Sequence, residues 1–195
     1  MYLLLLCSLT VAAIAIDRFL LYRRASQGAR ALEADVAAAL RKKKLDEVAP
    51  AVKGKDNMVA HLVQSAVDAR AAGEDVPMTL EAAYGEAAML LRARLNYLST
   101  IVTLAPLLGL LGTISGMIQS FSVFNLQAGQ PMAITGGIGE ALIATATGLL
   151  VAIFALVVHT YFAQRMDTML TLLEKTMNTM LAGFAANDGG RSHAS

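Results

Sequence analysis

The sequence predicts an all-α membrane protein, with three transmembrane helices and long cytoplasmic helical extensions. Three observations carry that reading. Of the 195 residues, 56% are hydrophobic and 16% charged, against about half and about a quarter in a soluble domain. The 70 residues between Arg94 and Arg165 hold one formal charge, Glu140. Three segments are apolar over the roughly 20 residues needed to cross about 30 Å of hydrocarbon at about 1.5 Å per residue.

The first span, residues 1–22, is uncharged from Tyr2 through Ile16 and is closed by Asp17, Arg18, Arg23 and Arg24. No basic residue precedes the apolar run, so it reads as a retained anchor with its N-terminus outside, not as a signal peptide. Leu6 before Cys7 argues against a lipidated cysteine. Of the sixteen Lys and Arg residues, twelve lie in 23–94, three in 163–195, one is Arg18, and none lies in 125–131. Positive residues favour the cytoplasmic side. That places the N-terminus outside, the loop 23–96 inside, the hairpin 125–131 outside and the tail 163–195 inside.

Within the loop, Val59, Leu62, Val63, Ala66 and Val67 recur at helical spacing, and Glu74 to Pro77 punctuates before a new helix near Thr79. Leu80, Tyr84, Ala87, Leu91, Leu95 and Leu98 then lead without a breaker into the second span, 97–124. One helix of about 45 residues, roughly 70 Å, is expected. The third span, 132–162, continues into a seam of Met166, Leu170, Leu173, Met177, Met180 and Phe184 at coiled-coil-like steps. The two extensions can pack as an antiparallel pair. The methionines read as core filling in preference to a partner surface, and Asn187 to Ser195 is expected to be disordered.

Several function classes drop out. A net charge of +1 gives no field for nucleic acid. Cys7 stands alone and His61, His159 and His193 are scattered, so no disulfide, metal site or cofactor is called for. The stretch Gly109 to Gly116 lacks the Lys-Ser/Thr of a phosphate-binding loop. The chain does not read as an enzyme.

What remains is polar chemistry inside the membrane. Gly137, Ala141, Ala144, Gly148, Ala152 and Ala155 form one helical stripe, and Ala105, Gly109, Gly112, Gly116 and Ser120 form another. Small residues in such stripes let membrane helices approach closely. Glu140 is costly there, by about 2.5 to 3.5 kcal/mol on insertion scales for comparable charges. It either donates one interhelical hydrogen bond as the acid or lines an ion route. Thr113, Thr145 and Thr147 add hydroxyls that can serve a pore or simply bond the carbonyl one turn back. At about 100° per residue, Glu140 and Thr147 lie about 20° apart while Thr145 lies about 140° from Glu140.

The stretches LAPLLGLLGTISGMIQSF, from Leu104 to Phe121, and GGIGEALIATATG, from Gly136 to Gly148, resemble the ExbB/TolQ/MotA proton-channel family, closest to its ExbB and TolQ branch. The resemblance implies a pentameric ring whose second and third membrane helices surround an ExbD/TolR-like single-span dimer carrying the proton on a membrane aspartate. It maps Thr113, Glu140 and Thr145 to pore-lining positions and Pro106 to a helix-distorting proline. It also implies the bacterial inner membrane, a TonB-like or TolA-like third component, and a ring that couples proton flow to motion of its partner. A three-span layout fits a transport, envelope or gliding motor better than a flagellar one. The competing reading is a structural membrane scaffold with no ion-conducting role.

Overall fold

The computed structural model describes residues 2–42, 44, 47–126 and 131–192. All its regular elements are helical: α1 (Tyr2–Ser26), α2 (Ala29–Arg41), α3 (Val48–Val52), α4 (Met58–Ala72), α5 (Val76–Arg92), α6 (Leu95–Leu126) and α7 (Pro131–Ser192). Among the described residues, three helical stretches are long and apolar enough to cross a membrane. They run over Tyr2–Arg41, Val76–Ser122 and Gly136–Asn187, beginning in α1, α5 and α7. Residues 127–130 of the expected external hairpin and 193–195 of the expected disordered end lie outside the described residues.

The chain divides into two compact units. The first, residues 1–18 and 94–163, holds the apolar parts of α1, α6 and α7. It is apolar outside as well as inside: α1 buries Leu4, Val11 and Ile14, yet Leu9, Leu110, Ile118, Leu150 and Val157 are exposed. Such a surface suits lipid, where helices satisfy their own backbone and need no polar shell. At the end of this unit Asp17 accepts ion pairs from Arg18 and from Arg94, both at 2.9 Å.

Arg94 also corrects the sequence reading. The expected 45-residue helix is two helices, α5 and α6, separated at Ala93 and Arg94, where Arg94 has φ of 66°. Neither glycine nor proline marks the break. A left-handed arginine is unfavourable on its own, and the Asp17 ion pair holds its side chain there.

The second unit, residues 19–93 and 164–195, is a small helical bundle. Gly28, with φ of 70°, turns the chain from α1 into α2, whose Leu32, Val36, Ala39 and Leu40 face inward. Asn57 caps α4 by accepting from the Ala60 N–H at 2.9 Å, and its own amide donates to Gln27 O at 3.1 Å. Asp75 caps α5 by accepting from the Met78 N–H at 3.1 Å, with Pro77 in the first turn. That cap starts α5 three residues earlier than the sequence suggested.

α4 packs against both α2 and α5, and Tyr22 Oη donates to Leu91 O at 2.9 Å. The tail of α7 buries Met169, Leu170, Leu173, Met180 and Phe184. It is fixed against α2 by a 3.1 Å ion pair from Lys175 to Glu33 and by Gly183 lying on Leu40. Arg70 of α4 stacks its guanidinium 4.6 Å from the Phe184 ring centre.

Candidate functional site

The candidate residues lie on α6 and α7, where the small-residue stripes meet. A Cβ on Gly109 would come within 3.1 Å of Ala144 O and Thr145 Cα, one on Gly112 within 2.8 Å of Ala144 Cβ, and one on Gly116 within 2.9 Å of Ala141 Cβ. Against backbone, Gly148 is tightest, with Ala105 O at 2.6 Å and Gly109 Cα at 3.0 Å from its ideal Cβ. Gly137 sits on the Ser120 hydroxyl. Residue numbers rise along α6 as they fall along α7, so the helices are antiparallel, and they meet backbone to backbone at Gly109 and Gly148.

Pro106 stands inside α6, one turn before Gly109. It supplies no N–H to the carbonyl one turn back. The carbonyl immediately before it, Ala105 O, is the atom nearest the Gly148 position.

Every threonine hydroxyl at issue donates to a backbone carbonyl. Thr113 Oγ1 donates to Leu110 O at 2.7 Å and Thr147 Oγ1 to Ile143 O at 2.8 Å, both within their own helices. Thr145 differs: its Oγ1 crosses to α6 and donates to Gly109 O at 3.1 Å. Ser120, 4% exposed, donates to Gly116 O at 2.7 Å. Each hydroxyl oxygen keeps lone pairs with which to accept from water or a partner.

The packing line fixes which way each residue faces. At about 100° per residue, Thr113 lies about 60° from the Gly109–Gly112–Gly116 line on α6, and Thr145 about 70° from the Gly137–Ala141–Ala144–Gly148 line on α7, in the same rotational sense. For antiparallel helices that face each other, the same sense of rotation leads to the same side of the pair. Gly112 opposes Ala144, so Thr113 and Thr145 also sit within about 3 Å in height.

Glu140 and Thr147 are rotated the opposite way, by about 70° and 90°, onto the other side. Glu140 is exposed there. The structure thus groups Thr113 with Thr145 and Glu140 with Thr147, and does not bring the four together. Two polar residues missed by the sequence reading, Ser115 and Gln119, share the Glu140 side and are exposed. Since Gly116 opposes Ala141, Glu140 lies between them in height. Their signal was legible: they are four apart in an otherwise apolar span, out of phase with the glycines. Among the described residues no cluster of His, Cys, Asp and Glu is arranged to hold a metal ion.

Comparison with known proteins adds a family to this geometry. The model of the MotA/TolQ/ExbB proton channel family matches residues 51–175, more than half of the chain. The ExbB-like 1 biopolymer transport protein of Synechocystis sp. is 55% identical over 65 residues, covering 31% of this chain and 26% of that protein. The Tol-Pal system protein TolQ of Pseudomonas aeruginosa is 34% identical over 108 residues, 55% of this chain and 47% of its own. The biopolymer transport protein ExbB of Salmonella typhimurium is 39% identical over 74 residues, covering 37% and 30%. The chain thus spans less than half the length of these curated relatives. With three membrane-length apolar helices and a family match over most of α3 to α7, it is a multi-pass membrane protein that belongs to the MotA/TolQ/ExbB proton channel family, in its ExbB/TolQ-like branch.

Proposed function

We propose that this chain is the ring subunit of a bacterial inner-membrane motor driven by the proton-motive force. Five copies enclose an ExbD/TolR-like single-span dimer and couple ion flow to its motion. A TonB-like or TolA-like component passes that motion on to outer-membrane transport or an envelope process. The N-terminus is periplasmic, and the second unit with the C-terminal tail is cytoplasmic. The role is transport-energising, with no catalytic chemistry of its own.

The observation that carries this reading is the two-sided α6–α7 pair. Its helices meet through glycine and alanine, leaving Thr113 and Thr145 level on one side and Glu140 on the other. Hydroxyls at one height, repeated in each copy, would form a ring able to order water around a partner's titratable group. The chain need not supply that group on the hydroxyl side. Glu140, with Thr147, would serve a second route or interface. A potential of about 100 mV supplies about 2.3 kcal/mol per proton, so repeated passages can drive stepwise motion against weak contacts.

The test is proton flux in proteoliposomes holding this chain with its ExbD/TolR-like partner. Thr145→Ala should cut flux at least about tenfold, and Glu140→Gln should do so if the charge matters and not only the shape. Full flux in a correctly assembled Thr145→Ala complex would overturn the pore assignment. Full function in the presence of an uncoupler would favour the scaffold.

A further inference from the structure

The outer face of α5 is apolar and uncovered. Met78 is 72% and Met89 67% exposed. Between them at helical spacing lie Ala82 and Gly85, both exposed, and a Cβ on Gly85 would meet nothing within 4 Å. The face therefore has a shallow floor between two methionine ridges. At about 100° per residue, Glu81 and Glu86 flank it on either side, and Arg92 lies near its end; all three are exposed.

A second feature of the same unit has the opposite character. A groove of about 720 Å³ runs between α2 and the α7 tail, floored by Leu40, Ala182, Gly183 and Ala186. A neighbouring 410 Å³ pocket shares its Arg41 and Lys175 and adds Lys42. Glu33 also borders that pocket but is already paired with Lys175, and Glu174 lies lower on the α7 wall. Among the described residues α4 packs on both α2 and α5. The acidic apolar face and the basic groove thus belong to different elements of the unit.

Their heights match. Arg70, in the last turn of α4 just before α5 begins, stacks on Phe184, so the start of α5 and residue 184 share one end of the unit. α2 runs alongside α7 in the same direction, because Glu33 meets Lys175 and Leu40 meets Gly183. Glu81 therefore lies near the level of Arg41. Glu86 and Arg92 lie about 8 and 16 Å further along, toward Lys175 and Glu174. From Met78 to Met89 is about 16 Å, and from Glu174 to Ala186 about 18 Å.

We propose that the α5 face of each copy docks into the α2–α7 groove of the next copy, making a head-to-tail interface outside the membrane spans. Two different complementary patches on one chain are what a closed cyclic assembly requires, since each copy must use both. In a ring whose axis runs along these helices, only patches at equal height can meet. The methionines fill the groove over Leu40 and Ala182, and Glu81 and Glu86 face Arg41, Lys42 and Lys175. The inference rests on the ring assembly proposed above and names its contact surface.

The test uses full-length protein in a Cys7→Ser background, with a short bis-maleimide as cross-linker. Copies carrying Gly85→Cys, mixed with copies carrying Asn178→Cys, should give covalent heterodimers. A chain carrying both should give a ladder ending at the ring. Glu81→Lys with Glu86→Lys should lower the yield at least about fivefold, and adding Arg41→Glu with Lys42→Glu should restore it. That rescue separates interface loss from misfolding. An oligomer of intact mass without the Gly85–Asn178 product, or with Gly85–Gly85 dimers in its place, would overturn the interface and leave the ring standing. A monomer by light scattering in lipid nanodiscs would overturn both.

Discussion

Two glycines on one helix show how the α6–α7 contact depends on single atoms. Gly148 and Gly139 are both in α7, but a Cβ at 148 would stand 2.6 Å from Ala105 O while one at 139 would meet nothing within 4 Å. The neighbour at 148 is backbone, so the helices must separate to admit even a methyl group. We predict that Gly148→Ala lowers stability in detergent by about 1–3 kcal/mol, as overpacking does, and that Gly139→Ala is neutral or slightly stabilising through helix propensity. Thermal unfolding followed by circular dichroism checks both. Thr145 makes a parallel case, because its hydroxyl joins the helices through Gly109 O. Thr145→Val should cost about 0.6–1.7 kcal/mol, the range of interhelical hydrogen bonds in membranes, and Thr145→Ser should recover most of it. Equal melting temperatures for valine and serine would show that the bond contributes nothing to the pair.

At the scale of elements, the break between α5 and α6 is the informative one. Arg94 combines an unfavourable φ of 66° with a 2.9 Å ion pair to Asp17. The two effects separate by substitution. Arg94→Ala keeps the strained backbone and loses the pair, whereas Arg94→Gly loses the pair and relieves the strain. Glycine should therefore be more stable than alanine by about 1 kcal/mol. The pair itself, with Arg94 half-exposed, contributes about 0.2–1 kcal/mol, so glycine should come close to the unsubstituted chain. A melting temperature for alanine equal to or above that of glycine would mean that the left-handed turn is not strained.

This junction also shows what the sequence conveyed. The glycine and alanine stripes of α6 and α7 were legible because close packing leaves a periodic trace of small residues. Glu74 to Pro77 announced α5 as punctuation, but not the cap at Asp75 that starts it three residues before Thr79. The break at Arg94 left no trace, since neither glycine nor proline marks it and the ion pair that accompanies it joins residues far apart in sequence. The sides of the α6–α7 pair were legible only in part. Periodicity separated Glu140 from Thr145, but grouping Thr113 with Thr145, and Ser115 and Gln119 with Glu140, required knowing which line of each helix faces the other.

For the whole molecule, orientation decides what the polar residues can do. Twelve of sixteen Lys and Arg residues fall in 23–94 and none in 125–131, the difference on which the proposed topology, with that basic stretch cytoplasmic, rests. Glu140 lies nine residues into α7 from Pro131, about 14 Å from that end of the helix. If the 125–131 end is periplasmic, a proton moving inward reaches the level of Glu140 before the level of Thr145. The reverse orientation would invert that order and place the basic unit where the membrane potential opposes its retention. Single cysteines in a Cys7→Ser background read the orientation directly. Ala128→Cys should react with a membrane-impermeant maleimide in intact spheroplasts, and Glu74→Cys, between α4 and α5, should react only after permeabilisation. Labelling of Glu74→Cys in intact spheroplasts, with Ala128→Cys protected, would reverse the topology and with it the direction of flow through the proposed ring.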